Sequence, residues 1–166
     1  MKKSYIIAFW SPFYIPNMHF YTDFFSMFME KYGDFQCLDF KCRRDSKTMR
    51  FLMEADLVVV GLSKNKDIMS SYFCYMPKPF KQIRYIITEY FPIDEEYLDS
   101  LCGQYRIPPS ELAKIPYNAR FQESIKSGRG AEYLKSPRTG RQYENAINFR
   151  GELDRCAKLF LKALEN

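Results

Sequence analysis

Apolar and polar residues change period several times along this chain, and each change predicts an element. Ser4–Trp10 is rich in β-branched and aromatic residues, the pattern of a buried strand. Two prolines make Ser11–Met18 a loop. His19–Tyr32 then sets Phe20, Phe24, Phe25, Phe28 and Met29 at helical spacing before Gly33 stops the helix. Phe35–Phe40 reads as a short strand. Asp45 or Ser46 caps a helix running to about Glu54, and Asp56–Leu62, with its Leu-Val-Val-Val core, is the plainest strand in the chain.

The alternation continues. Asn65–Met76 is helical and stops before Pro77, and Gln82–Tyr90 is strand-like. An acidic helix follows over Asp94–Gln104. Pro108, Pro109 and Ser110 open a short helical turn, and Lys114–Pro116 is a short strand. Ala119–Ser127 forms a helix closed by Gly128, the stretch to Gly140 reads as loop, and Gln142–Leu164 is a long amphipathic helix. Five strand–helix alternations predict one α/β domain over residues 1–166: three layers, with a doubly wound, mostly parallel, Rossmann-like sheet of about five strands. The expected strand order is 2-1-3-4-5. Its switch point lies between the first and third strands, which directs attention to the loops Ser11–His19, Lys41–Ser46 and Gly61–Lys66.

Composition narrows the chemistry. Of 166 residues, 46% are hydrophobic and 27% charged, a globular balance. The longest apolar runs, such as Leu57–Val60, are far short of the roughly 20 residues that cross a bilayer. Five scattered cysteines without a CxxC pair argue against a disulfide framework or a zinc site, and the single histidine, His19, excludes a histidine-based metal cluster. The expectation is a cytoplasmic protein with reduced thiols, no metal and no cofactor. Aromatics reach 17%, while the 7 glycines begin only at Gly33. No glycine-rich ligand loop exists before that point.

The net charge of +5 is unevenly spread. Lys41, Arg43, Arg44, Lys47 and Arg50 crowd one stretch, and Arg120, Lys126, Arg129, Lys135, Arg138 and Arg141 mark a second. Between them lies an acidic block of Glu89, Asp94, Glu95, Glu96 and Asp99. Such polarity suits oriented docking with a protein partner or self-association, and also suits nucleic acid.

The segments Ala55-Asp56-Leu57-Val58-Val59-Val60 with Leu62-Ser63-Lys64-Asn65, and Ile115-Pro116-Tyr117-Asn118-Ala119-Arg120-Phe121 with Gly128, resemble ParA/MinD-type ATPases of the P-loop fold. The opening Ala8-Phe9-Trp10-Ser11-Pro12 is similar to the start of a divergent bacterial subgroup. The resemblance implies a phosphate loop after the first strand, whose amides, lysine and hydroxyl would hold a nucleotide and Mg²⁺. Here that place holds Pro12-Phe13-Tyr14-Ile15-Pro16-Asn17-Met18-His19, with no glycine, no lysine and two residues lacking an N–H. Thr22 is a poor substitute for the magnesium ligand. Asp39 matches the family's acidic residue near magnesium, but without a phosphate loop it has lost that purpose.

The resemblance, with this departure, implies a pseudo-ATPase without catalytic residues that acts as a protein-binding or assembly module. Ser11, Pro12, Asn17 and His19 are its degenerate nucleotide loop, and Asp39, Asn65 and Asn118 its edge positions. Lys41, Arg43, Arg44, Arg138 and Arg141 are the candidate anion or partner contacts. Two alternatives stay open. One is a small-ligand or anion-binding protein, or an enzyme, using a non-Walker site at the sheet's carboxyl edge. The other is a nucleic-acid-binding accessory protein. Phe13, Tyr14, Phe20 and Tyr21 either fill the vacated pocket or form an apolar contact surface, with filling favoured. Leu153, Cys156, Phe160 and Leu164 form one stripe of the last helix, expected to pack on the sheet.

Overall fold

A computed structural model describes residues 4–75, 80–135 and 144–165, with only the backbone for 144–148. In chain order the elements are β1 (Ser4–Trp10), α1 (Met18–Met29), β2 (Asp34–Asp39), α2 (Ser46–Glu54), β3 (Leu57–Gly61), α3 (Lys66–Tyr75), β4 (Ile83–Tyr90), α4 (Glu95–Tyr105), β5 (Leu112–Pro116), α5 (Ala119–Lys126), α6 (Gly130–Lys135) and α7 (Glu144–Leu164). The five strands form one parallel sheet in the order β2-β1-β3-β4-β5. This is the expected order, in the expected three-layer architecture.

The period of two along each strand explains the layers. Ile7, Phe9, Leu57, Val59 and Ile86 face a core built with Phe24 and Phe25 of α1, Phe121 of α5, and Leu153, Cys156 and Phe160 of α7. Ala8, Trp10, Val58, Val60, Tyr85 and Ile87 face the opposite core, closed by Leu52 of α2, Met69 and Tyr72 of α3, and Leu98 and Leu101 of α4. Every residue of β3 is buried because it is a central strand covered on both faces. The aromatic excess goes mainly here. Phe9 stacks on Phe25 at 5.7 Å between centroids, and Phe160 meets both rings edge-on. The stripe on α7 packs on the sheet, as its spacing predicts.

Local chemistry sets the boundaries. Asp45 starts α2 by accepting from the Thr48 amide at 2.9 Å and from its hydroxyl at 2.7 Å. Asn118 starts α5 by accepting from the Phe121 amide at 2.8 Å. The structure corrects one expectation: part of the stretch read as loop before Gly140 is helical, over Gly130–Lys135. Gly130 is buried there under Phe20, whose ring would stand 2.9 Å from a β-carbon at that position. The acidic block also differs from its linear appearance. Lys64 pairs with Asp94 at 2.7 Å, and Lys114 pairs with Glu95 at 2.7 Å, both cations arriving from distant elements. Glu96 and Asp99 remain exposed on α4.

Candidate functional site

The fold places α1 on one face of the sheet and α2 and α3 on the other, so the crevice beyond β1 and β3 is the place where such sheets bind ligands. The loop leaving β1 fills it. The Ser11 amide donates to the Lys41 carbonyl at 3.0 Å, and the Ser11 hydroxyl donates to the Gly61 carbonyl at 3.3 Å while accepting from the Phe13 amide at 3.3 Å. Pro12 and Pro16 have no N–H to offer. Two of the loop's amides, those of Ser11 and Phe13, are thus spent on the protein, and two further positions have none.

Packing completes the closure. The side chain of Ile15 lies against β3 so closely that its Cδ1 is 2.1 Å from where a β-carbon on Gly61 would stand. The space left among Trp10, Ser11, Ile15, Met18, Asp39 and Lys41 is about 10 Å³, the size of a single water at most. The side chain pressed into the crevice is that of Ile15. Tyr14, offered as a filler by the sequence, is 64% exposed. Phe20 and Tyr21 pack on Phe121 of α5.

The residues singled out in the sequence resolve into structural roles. Asp39 accepts from the Lys41 amide at 2.8 Å and so stabilises the left-handed turn at Lys41, whose φ is 53°. Asn17 adopts the left-handed conformation at the start of α1 without capping it through its side chain. His19 is exposed at the helix start, with its ring 4.1 Å from that of Phe20. Asn65 accepts from the Asp67 amide at 2.9 Å and opens α3. Buried Asn118 caps α5 and also accepts from the Tyr133 hydroxyl at 3.2 Å. Thr22 spends its hydroxyl on the Met18 carbonyl at 3.1 Å.

The basic residues after β2 are held differently. The Arg43 carbonyl accepts from the Trp10 indole at 2.7 Å, which anchors the turn, while the Arg43 side chain is exposed like those of Lys41, Lys47 and Arg50. Arg44 reaches back to the Pro12 carbonyl at 2.5 Å. Arg138 and Arg141 lie outside the described residues. The α5–α6 hollow that contains Arg120 and Arg129 also contains Glu123 and Glu132, so its charge is balanced.

Beside the closed loop a cleft of about 470 Å³ is open, lined by Pro12, Phe13 and Arg44 and by Asp67, Ile68, Ser71, Tyr72 and Tyr75 of α3. Its size is that of a small-molecule site. Of its lining, sequence reasoning singled out Pro12, as part of a degenerate nucleotide loop, and Arg44, as an anion or partner contact; it missed α3, whose residues carry no motif. Tyr72 is 2% exposed, and its hydroxyl is the one buried side-chain polar atom among the described residues without a hydrogen-bond partner. Burial raises the pKa of that phenol, reinforced by neighbouring Tyr85, so it stays a neutral donor.

At the far end of the same edge, Glu89 stands at φ 54° in a bulge between β4 and β5 and accepts from Gln122 at 3.0 Å. Lys64 bonds the Glu89 carbonyl at 2.9 Å and lies over the Phe91 ring. Among the described residues no three His, Cys, Asp or Glu side chains are grouped to hold a metal ion. No described helix is long and apolar enough to cross a membrane. Compared with protein-family models and with curated proteins, the sequence matches none.

Proposed function

We propose that this chain is a non-catalytic relative of the ParA/MinD-type ATPases that keeps their sheet, has closed its phosphate site, and works as a protein-binding or assembly module. The observation that carries this reading is the contact between Ile15 and Gly61. It puts a side chain against the sheet where the resemblance would put phosphate, with about 10 Å³ left over. The assembly half of the reading is supported by the charge layout. Exposed Lys41, Arg43, Lys47 and Arg50 follow β2 at one edge of the sheet, and exposed Glu96 and Asp99 lie on α4, which joins the two strands at the other. Opposite charge at opposite edges suits head-to-tail contact between copies.

Thermal unfolding with and without ATP and Mg²⁺ tests the first half. A nucleotide present at 100-fold its Kd would add about 2.7 kcal/mol, a shift of several degrees for a domain of this size. No shift is expected, and a clear ATP-dependent one overturns the reading. Sedimentation velocity at low and high salt tests self-association, which should weaken with salt and with Arg43→Glu plus Lys47→Glu. A second reading, small-ligand binding at a non-Walker site on the same edge, is favoured by one observation, the open cleft beside the loop.

A further inference from the structure

The cleft between the β1–α1 loop and α3 combines two features. It has apolar and aromatic walls from Phe13, Ile68 and Tyr75, the last 82% exposed. It has one guanidinium and one carboxylate, Arg44 and Asp67, which form no ion pair with each other. Arg44 is pinned by its bond to the Pro12 carbonyl, so its charge is held in place at little further entropic cost.

We infer that this cleft binds a small aromatic zwitterion of the α-amino-acid type, its carboxylate on Arg44, its ammonium on Asp67 and its ring against Phe13 and Tyr75. Charge complementarity selects this class. A simple anion would leave the Asp67 carboxylate facing it, and a simple amine would face Arg44. A ligand carrying both charges satisfies both walls. An apolar ring accounts for the aromatic lining, and the volume of about 470 Å³ accommodates a molecule of that size. The inference rests on the second reading above, small-ligand binding at the carboxyl edge, and is independent of whether copies assemble.

The protein carries its own reporter, because Trp10, its single tryptophan, packs on Tyr72 at 6.0 Å between ring centroids. Trp10 emission, with calorimetry as a second readout, is followed while L-phenylalanine, 3-phenylpropionate or phenethylamine is added to the full chain. Phenylalanine should bind saturably and at least about tenfold more tightly than either single-charge analogue, one charge-assisted contact being worth roughly that factor. Arg44→Gln should weaken phenylalanine and 3-phenylpropionate and spare phenethylamine. Asp67→Asn should weaken phenylalanine and phenethylamine and spare 3-phenylpropionate. Asp67→Asn, being an exposed change, keeps the test valid even where Arg44→Gln perturbs the loop. Absence of saturable phenylalanine binding at millimolar concentration, or equal affinity for all three probes, overturns the inference. An ATP-dependent thermal shift would instead overturn the closed-phosphate-site reading, so the two failures are distinguishable.

Discussion

The Cδ1 of Ile15 lies 2.1 Å from the position a β-carbon on Gly61 would occupy, and Ser11 Cβ lies 3.1 Å from the same point. Gly61 is glycine because the loop after β1 is pressed onto β3, not because its backbone demands it. Gly61→Ala should therefore destabilise the fold by about 1–3 kcal/mol through overpacking. Ile15→Ala alone should cost stability by losing apolar contact. Combined with Gly61→Ala it should recover part of the loss, since the added methyl then occupies the vacated space. Urea unfolding of the four proteins measures this coupling. Strict additivity would show that Ile15 does not sit on Gly61.

Much of the fold was legible because the central strands are short, nearly continuous apolar runs bounded by polar and turn residues. Leu57, Val59 against Val58, Val60 divides into the two cores as period two requires. The plug was less legible. The sequence between Pro12 and Pro16 does not say which of Phe13, Tyr14 and Ile15 turns inward, because the deciding contact is with Gly61 on another strand. Tyr14 carries a hydroxyl and stays in water, and branched, wholly apolar Ile15 turns inward and is partly buried. The α3 wall of the cleft was hidden for a similar reason. Asp67, Ser71 and Tyr75 recur four apart on an ordinary amphipathic helix and acquire meaning only when the β1 and β2 loops come up beside them. Helix α6 was missed because six residues beginning on a glycine carry too little periodicity to read.

Asn118 was singled out as an edge residue of a nucleotide site, and its observed bonds make a different prediction. Its Oδ1 joins the Phe121 amide at 2.8 Å to the Tyr133 hydroxyl at 3.2 Å, tying the start of α5 to α6. Asn118→Ala should cost about 1–2 kcal/mol, and Asn118→Asp, which keeps the acceptor, clearly less. Chemical unfolding distinguishes them. Equal losses in the two variants would mean that the cap contributes nothing.

The pair between Lys64 and Asp94 predicts a limb of acid sensitivity. The hydrogen bond from the Lys64 ammonium, and then that from the Phe91 amide, hold the Asp94 carboxyl below its ordinary pKa. A depressed folded-state pKa adds stability that is fully present above the unfolded value, near 3.9, and is lost as pH falls through the folded one. Lys64 is 40% exposed, so the effect is modest, within about 1 kcal/mol. Asp94→Asn should be less stable than the parent at pH 7, and the difference should close below about pH 4. A difference that persists unchanged at low pH would assign the loss to something other than charge. Asp45, whose carboxyl is lowered chiefly by the Thr48 amide, contributes in the same direction.

Thiol chemistry gives the sharpest check on the packing of α7. Burial pushes the Cys156 thiol up to about 12, and the Cys37 thiol likewise to about 12, while Cys74 is exposed on α3. At pH 8 a thiol titrating there is ionised in roughly one molecule in ten thousand, and the thiolate is the reactive form. A disulfide reagent should label Cys74 first in the folded protein, and Cys74→Ser should remove that fast phase. Cys156 should react only after denaturant opens the chain. Its place at 3% exposure between α7 and the sheet, close to the Lys114 carbonyl of β5, leaves the reagent no path and the thiol no reason to ionise. Labelling of native Cys156 at the rate of Cys74 would mean that α7 leaves the sheet in solution, and with it one of the two cores on which this fold depends.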